Sequence, residues 1–83
     1  MKRIAVIGAV LEEPARTQTA FNDTVSTYKG IVKGRMGIPF EDENRAVISI
    51  TVQAELDDIN ALTEKLGKIP GVTVKTAVSG ENR

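Results

Sequence analysis

The spacing of apolar residues changes along this chain, and the order of those changes predicts the order of its secondary structure. Four stretches have alternating or continuous apolar residues, which is typical of β-strands. Two stretches between them have apolar residues at every third or fourth position, which is typical of amphipathic helices. Strands are therefore predicted at residues 4–11, 31–39, 45–53 and 72–78, and helices at residues 14–28 and 56–69.

The order strand, helix, strand, strand, helix, strand predicts an α+β fold, the ferredoxin-like βαββαβ plait. Because crossovers between parallel strands are right-handed, we expect an antiparallel four-stranded sheet in the spatial order 4-1-3-2. Both helices then lie on one face of the sheet. The elements fill almost the whole chain, so residues 1–83 are predicted to form one domain, with residues 79–83 as a frayed polar tail.

The first predicted strand is apolar at both its odd and its even positions, so it offers an apolar surface to each face of the sheet. Two short helices can cover only one of these faces. A half-solvated outer face is one interpretation. The other, which we favour, is self-association through that face or through an edge strand, as a dimer or tetramer. The predicted interface residues are Ile7, Ala9 and Leu11 from the first strand and Val47 from the third.

The composition argues against catalysis, because the chain has no His and no Cys. Nucleophilic catalysis lacks its usual base, and soft or borderline metals lack their preferred ligands, so we expect no enzyme activity, no metal and no cofactor. The absence of Cys is compatible with a reducing cytoplasm. The 11 basic and 11 acidic residues balance, which gives no support to direct nucleic-acid binding. The apolar run at residues 4–11 is far shorter than the ~20 residues of a membrane helix.

The second predicted strand ends in a glycine-rich segment, residues 34–39. Its Arg35 is suited to hold a carboxylate or phosphate with two hydrogen bonds, and Gly37 permits close approach of a backbone or ligand. The glycine spacing is not that of a phosphate-binding loop. The alternative interpretation is a bulged edge strand with Arg35 exposed to solvent.

Three segments resemble the iron-only hydrogenase system regulator family, whose members are small stand-alone bacterial proteins with an ACT-like plait. They are residues 35–39 (RMGIP), 44–48 (NRAVI) and 61–76 (ALTEKLGKIPGVTVKT), and the resemblance extends over essentially the whole chain. The resemblance implies a non-enzymatic, self-associating regulatory or small-ligand-sensing protein. The alternative is a structural module that docks on a larger enzyme or maturation factor.

The plait also resembles the nickel-sensing domain of a ribbon-helix-helix repressor, but that domain binds nickel through His and Cys, which this chain lacks. Amino-acid-binding ACT domains have a glycine in the turn after the first strand, where this chain has Ala15. For another small ligand, an ACT-like dimer implies a site where this turn meets a neighbouring subunit's edge. The candidate residues are Glu12, Glu13 and Pro14 from the turn, with Arg35, Gly37 and Pro39 from the second strand.

Overall fold

The structure is a computed structural model that describes residues 1–80. Short 3-10 turns precede and follow the second strand, at Lys29–Ile31 and Glu41–Glu43. The strands are β1 (Arg3–Glu12), β2 (Val32–Phe40), β3 (Arg45–Ala54) and β4 (Val72–Val78), and the helices are α1 (Pro14–Ser26) and α2 (Leu56–Gly67).

The four strands form one antiparallel sheet in the order β2-β3-β1-β4, which confirms the predicted plait and its strand order. The central strands β1 and β3 are each ten residues long. Helix α1 ends two residues earlier than predicted, where the Thr27 and Tyr28 amides donate to the carbonyls of Thr24 and Val25. These shorter bonds tighten the last turn, as is common at helix ends.

The predicted tail begins with an ordered residue. The Ser79 amide donates to the Ile4 carbonyl over 2.8 Å, and the Ile4 amide donates to Ser79 Oγ over 3.1 Å. Residues 81–83 lie outside the described part of the chain, so fraying of the tail remains a prediction there. Neither α1 nor α2 is long and apolar enough to cross a membrane.

The core lies between the two helices and one face of the sheet. Directly opposed residues of an antiparallel pair point to the same face, as Ile7 and Ile50 do. Both side chains are fully buried, so this face is the core side of the sheet. The largest fully buried side chains are Phe21, Ile7, Leu11, Ile50, Ile59, Leu62, Leu66 and Val52.

The predicted interface residues of β1 are therefore on the wrong face. Ile7, Ala9 and Leu11 are at most 2% exposed within a single chain, so they form its core and cannot contact a second folded copy. Both alternating sets of β1 are apolar, and only the clearer alternation of β3 decides which set faces the helices. The outward set of β1 contains Ile4, Val6 and Val10.

Val47 lies on the face opposite the helices, as predicted, because its cross-strand partners Val10 and Ile38 belong to the outward sets of their strands. We call this side of the sheet the open face. Its positions, read from the register, are residues 4, 6, 8, 10 and 12 of β1, 34, 36, 38 and 40 of β2, 45, 47, 49, 51 and 53 of β3, and 73, 75 and 77 of β4.

Candidate functional site

The turn between β1 and α1 is held by hydrogen bonds at its ends. The Glu12 amide donates to the Gly71 carbonyl over 2.8 Å, and the Glu13 amide donates to the Asn44 carbonyl over 3.0 Å. Thr17 is buried, and its Oγ1 donates to the Glu12 carbonyl over 3.0 Å. Glu13 has φ +46°, in the left-handed region, which costs a non-glycine residue energy. The neighbouring loops therefore fix the turn in a conformation that its own sequence does not favour.

A cavity of about 320 Å³ lies beside this turn, between the first half of α1 and the β2–β3 hairpin. Pro14 suits the first helical position because a proline lacks the amide that would be unpaired there. We call this cavity the α1–β2 groove. Its lining residues are Pro14, Ala15, Gln18, Pro39, Glu41, Asn44, Arg45 and Ala46.

The structure brings together Pro14 and Pro39, two of the six predicted site residues, as opposite walls of this groove. They come from different elements, 25 positions apart in the sequence. Glu13 contributes through its backbone, which fixes the turn against Asn44. Its carboxylate lies 3.8 Å from Arg16 Nε and makes no helix-capping hydrogen bond. The predicted meeting of the turn with the second strand therefore occurs within a single chain.

Glu12 is not among the lining residues of the groove, but it forms an ion pair with one of them. Its outward position on β1 is opposite Arg45, whose Nε donates to Glu12 Oε1 over 2.9 Å. The hydrogen bond and then the attraction of the Glu12 charge raise the pKa of Arg45 above its ordinary value. Because an arginine is already protonated at physiological pH, this shift leaves the charge of Arg45 unchanged there. Glu12 does not line the groove itself, but it holds Arg45, which does.

Arg35 faces the helix side of the sheet, as Pro39 does. It contacts the second half of α1, whereas the groove lies beside the first half of that helix. Its Nη2 donates to Asn22 Oδ1 over 2.5 Å, and its guanidinium lies 5.6 Å from the centre of the Phe21 ring. Arg35 and Pro39 are four residues apart on a strand, which separates them by ~13 Å. Arg35 therefore does not line the groove of its own chain.

Gly37 lies between Arg35 and Pro39 on the same side of β2. A side-chain carbon added there would lie 3.9 Å from Ile48 Cγ1, which is an ordinary contact distance. The structure thus gives no steric reason within one chain for a glycine at this position. Residues 34–39 lie on an edge strand with Arg35 exposed, as in the alternative interpretation, but the shift of register falls between Val32 and Gly34, just before this segment.

Several polar residues of the groove were not predicted. Gln18 follows Pro14 by one helical turn, so it shares the groove face of α1. Asn44 closes the hairpin with φ +53°, a conformation that asparagine adopts more readily than most residues. The helical spacing of four residues could have predicted that Gln18 lies on the same face of α1 as Pro14. Nothing in the sequence predicts that this face lies beside the β2–β3 hairpin.

The groove combines apolar walls with groups able to bind a small polar molecule. The side-chain amides of Gln18 and Asn44 can donate and accept hydrogen bonds, and Glu41 can accept them. A second, more open concavity of about 640 Å³ lies at the hairpin tip, lined by Pro39, Phe40, Glu41, Asp42 and Glu43. Within residues 1–80, no three His, Cys, Asp or Glu side chains are placed to hold a metal ion together.

Comparison with known proteins identifies relatives of the whole chain. Its fold is similar to that of the uncharacterized protein TM1266 from Thermotoga maritima, with a TM-score of 0.92 and 31% sequence identity. The match covers 96% of this chain and 100% of the other. No curated protein matches the sequence. Residues 3–76 match the family model TM1266-like, described as "Iron-only hydrogenase system regulator, putative", and the chain belongs to that family.

Proposed function

We propose that this chain is a non-enzymatic, self-associating regulator in the iron-only hydrogenase system, and that it senses a small ligand. Family membership supports the link to that system. The observation that carries self-association is the concentration of exposed apolar side chains on the open face. The ligand-sensing part depends on the α1–β2 groove.

The open face carries five large apolar side chains that are about half exposed or more. The outward row formed by Ile38, Val47 and Val10 runs across three strands, and Met36 and Phe40 flank Ile38 on the same face of β2. Contiguous apolar surface of this kind is typical of a protein interface. The five side chains are Ile4 (52%), Val6 (45%), Met36 (62%), Ile38 (47%) and Phe40 (46%).

The charges of the open face favour a second copy of the same chain as its partner. Glu12 and Arg45 form an ion pair with each other, which leaves Lys75 as the remaining charged position in the register of this face. Its other polar side chains are uncharged. Fully burying a large apolar side chain contributes about 1.5–3 kcal/mol, so several half-exposed ones favour association. A two-fold interface requires only that the face match itself.

Ligand sensing is supported by the composition and position of the groove. Half of its lining residues are prolines or alanines, and Gln18 and Asn44 are among the polar groups that would orient a ligand. A ligand that binds only the folded state raises the midpoint of thermal unfolding by mass action. A thermal-shift screen of small polar metabolites is therefore expected to give hits that the variant Gln18→Ala weakens.

Self-association is tested by light scattering at micromolar concentration. The wild-type mass is expected to exceed that of one 8.9 kDa chain. Val6→Lys places a charge on the open face and is expected to reduce the mass, whereas Asn60→Lys adds the same charge on an exposed position of α2 and leaves the mass unchanged. A wild-type mass of one chain at every concentration would contradict the proposal.

The second candidate function is a docking module for a larger enzyme or maturation factor. It is favoured by the exposure of β2, whose residues 33–40 are exposed on both faces of the sheet. A module of this kind would be a monomer alone and would give no thermal-shift hits. Capture of one large partner from cell extract by wild type, but not by Met36→Lys, would support it over the first.

A further inference from the structure

The outer edge of β4 is a free strand edge within the chain. In the order β2-β3-β1-β4, β4 has a neighbour on one side only. Its sequence, VTVKTAV, contains no glycine or proline, and it pairs with β1 in one continuous register. A regular edge of this kind is a template to which another extended segment can be added.

Two hydrogen bonds at the ends of the β1–β4 pair show which backbone groups of β4 point outward. The Ser79 amide donates to the Ile4 carbonyl, and the Glu12 amide donates to the Gly71 carbonyl, each over 2.8 Å. Bonded and non-bonded positions alternate along an antiparallel pair, so the odd-numbered residues between 71 and 79 are bonded to β1. The even-numbered residues, whose amides and carbonyls point to the free edge, include Val74, Thr76 and Val78.

Helix α2 fixes β4 from the helix side of the sheet. Thr63 Oγ1 and Thr76 Oγ1 share a hydrogen bond of 2.8 Å. A carbon added at Gly67 would lie 3.2 Å from Val74 Cγ2, so the helix and the strand are in close contact there. Because this edge is already ordered, it loses little conformational freedom when a segment is added to it.

Lys75 sets the charge that an added segment must have. It is the middle residue of β4, and its side chain lies on the open face. Within residues 1–80, its ammonium group makes no ion pair. A lysine at this place opposes pairing with a strand that has a positive charge opposite it, and it attracts a strand that has a carboxylate there.

We propose that the β4 edge binds an extended segment of another protein, antiparallel to β4, with an acidic residue opposite Lys75. Relative to the added strand, Lys75 is at a non-bonded position, where opposed side chains are closest. The flanking residues of the segment exchange hydrogen bonds with Thr76 and Val74 and face the helix side. The β4 side chains there are partly buried, so apolar residues suit these positions. The partner is therefore recognised by an alternating pattern, apolar, acidic, apolar.

This edge is separate from the α1–β2 groove. Strands β2 and β4 are the two opposite edges of the sheet, and the groove is lined by α1 and the β2–β3 hairpin. A segment bound along β4 leaves the groove accessible. The partner and the ligand can therefore be tested independently, and failure of one proposal leaves the other standing.

An NMR titration of the full chain with two synthetic peptides tests the inference. The blocked peptide TVTVEVT places its glutamate opposite Lys75 and its valines opposite Val74, Thr76 and Val78. It is expected to shift the amide resonances of these three residues and to slow their hydrogen exchange, with smaller effects on the amides already bonded to β1. The peptide TVTVKVT, with lysine in place of the glutamate, is expected to bind at least about threefold more weakly.

Lys75→Glu is expected to reverse this preference, so that TVTVKVT binds more tightly than TVTVEVT. Lys33→Glu makes the same change of charge on β2, the other edge strand, and is expected to keep the wild-type preference. Both lysines are exposed, so both variants are expected to fold.

Equal binding of the two peptides to wild type would overturn the inference, and so would the absence of shifts on β4 at millimolar peptide. The second result would mean that Lys75 only protects the edge from pairing. Concentration-dependent protection of the outward amides of β4 without peptide would assign the edge to a second copy of the chain and would also overturn it.

Discussion

At the scale of single residues, the contact between Gly71 and Thr17 fixes the β1–α1 turn. Gly71 has φ +87°, and a side-chain carbon added to it would lie 2.9 Å from Thr17 Cγ2. Its carbonyl accepts the Glu12 amide, and Thr17 in turn donates to the Glu12 carbonyl. The sequence marks Gly71 only as the residue after Pro70 at the end of a helix. Its second role, as the site of close approach to the turn, appears only in the structure.

Gly71→Ala is expected to destabilise the protein by about 1–3 kcal/mol, because alanine is strained at positive φ and its methyl group would clash with Thr17. Gly30→Ala is the matched control. A carbon added at Gly30 has no neighbour within 4 Å, so its effect is expected to stay within about 0.5 kcal/mol. Urea unfolding of the three proteins measures both. Equal stability of the two variants would contradict the role given to Gly71.

Ile7 and Val6 are sequence neighbours with opposite surroundings. Ile7 is fully buried, whereas Val6 is 45% exposed on the open face. Ile7→Ala is expected to cost about 2–5 kcal/mol through lost burial and the cavity left behind. Val6→Ala is expected to cost less than about 1 kcal/mol, since its side chain is half in water in a single chain. Urea unfolding in dilute solution, where association contributes least, checks the difference. Similar losses for both would show that the core face is wrongly assigned.

At the scale of elements, β2 contacts the helix layer through Arg35. The strand has no buried residue, and α1 meets it where Arg35 reaches Asn22 and the Phe21 ring. An element with so few tertiary contacts depends on its sheet pairing for its position.

Arg35→Ala is expected to destabilise the protein by about 0.5–1 kcal/mol, the range of an exposed cation–π contact. Lys33→Ala, on the same exposed strand, is expected to change stability by less than about 0.5 kcal/mol. Thermal or urea unfolding measures both variants. If Arg35→Ala is as stable as Lys33→Ala, the contact of Arg35 with α1 contributes nothing to the fold.

At the scale of the whole molecule, the absence of His and Cys predicts the response to metals. Addition of stoichiometric nickel or zinc is expected to leave the midpoint of thermal unfolding within about 1 °C, because no imidazole or thiolate is present to bind them. Differential scanning fluorimetry and calorimetry check this. A tight, stoichiometric nickel site would contradict it and would return nickel sensing to consideration.

The sequence by itself determined the order of the elements and the order of the strands. Period-two and helical patterns of hydrophobicity are local, and right-handed crossovers leave one arrangement for this order of elements. The bounds of β4 were predicted to the residue, and those of the other elements to within two. Of the candidate site, the sequence could supply the turn at Pro14 and the strand end at Pro39, because proline marks both positions locally.

Only the tertiary structure decided which face of β1 is buried and which residues complete the groove. Both sets of β1 are apolar, so their alternation carries no information about the side on which the helices lie. The pairing of Ile7 with Ile50 resolves it, since β3 has one clearly apolar set. The meeting of Gln18 with the β2–β3 hairpin is likewise a long-range contact. Such contacts depend on how the helix packs on the sheet, which no local pattern specifies.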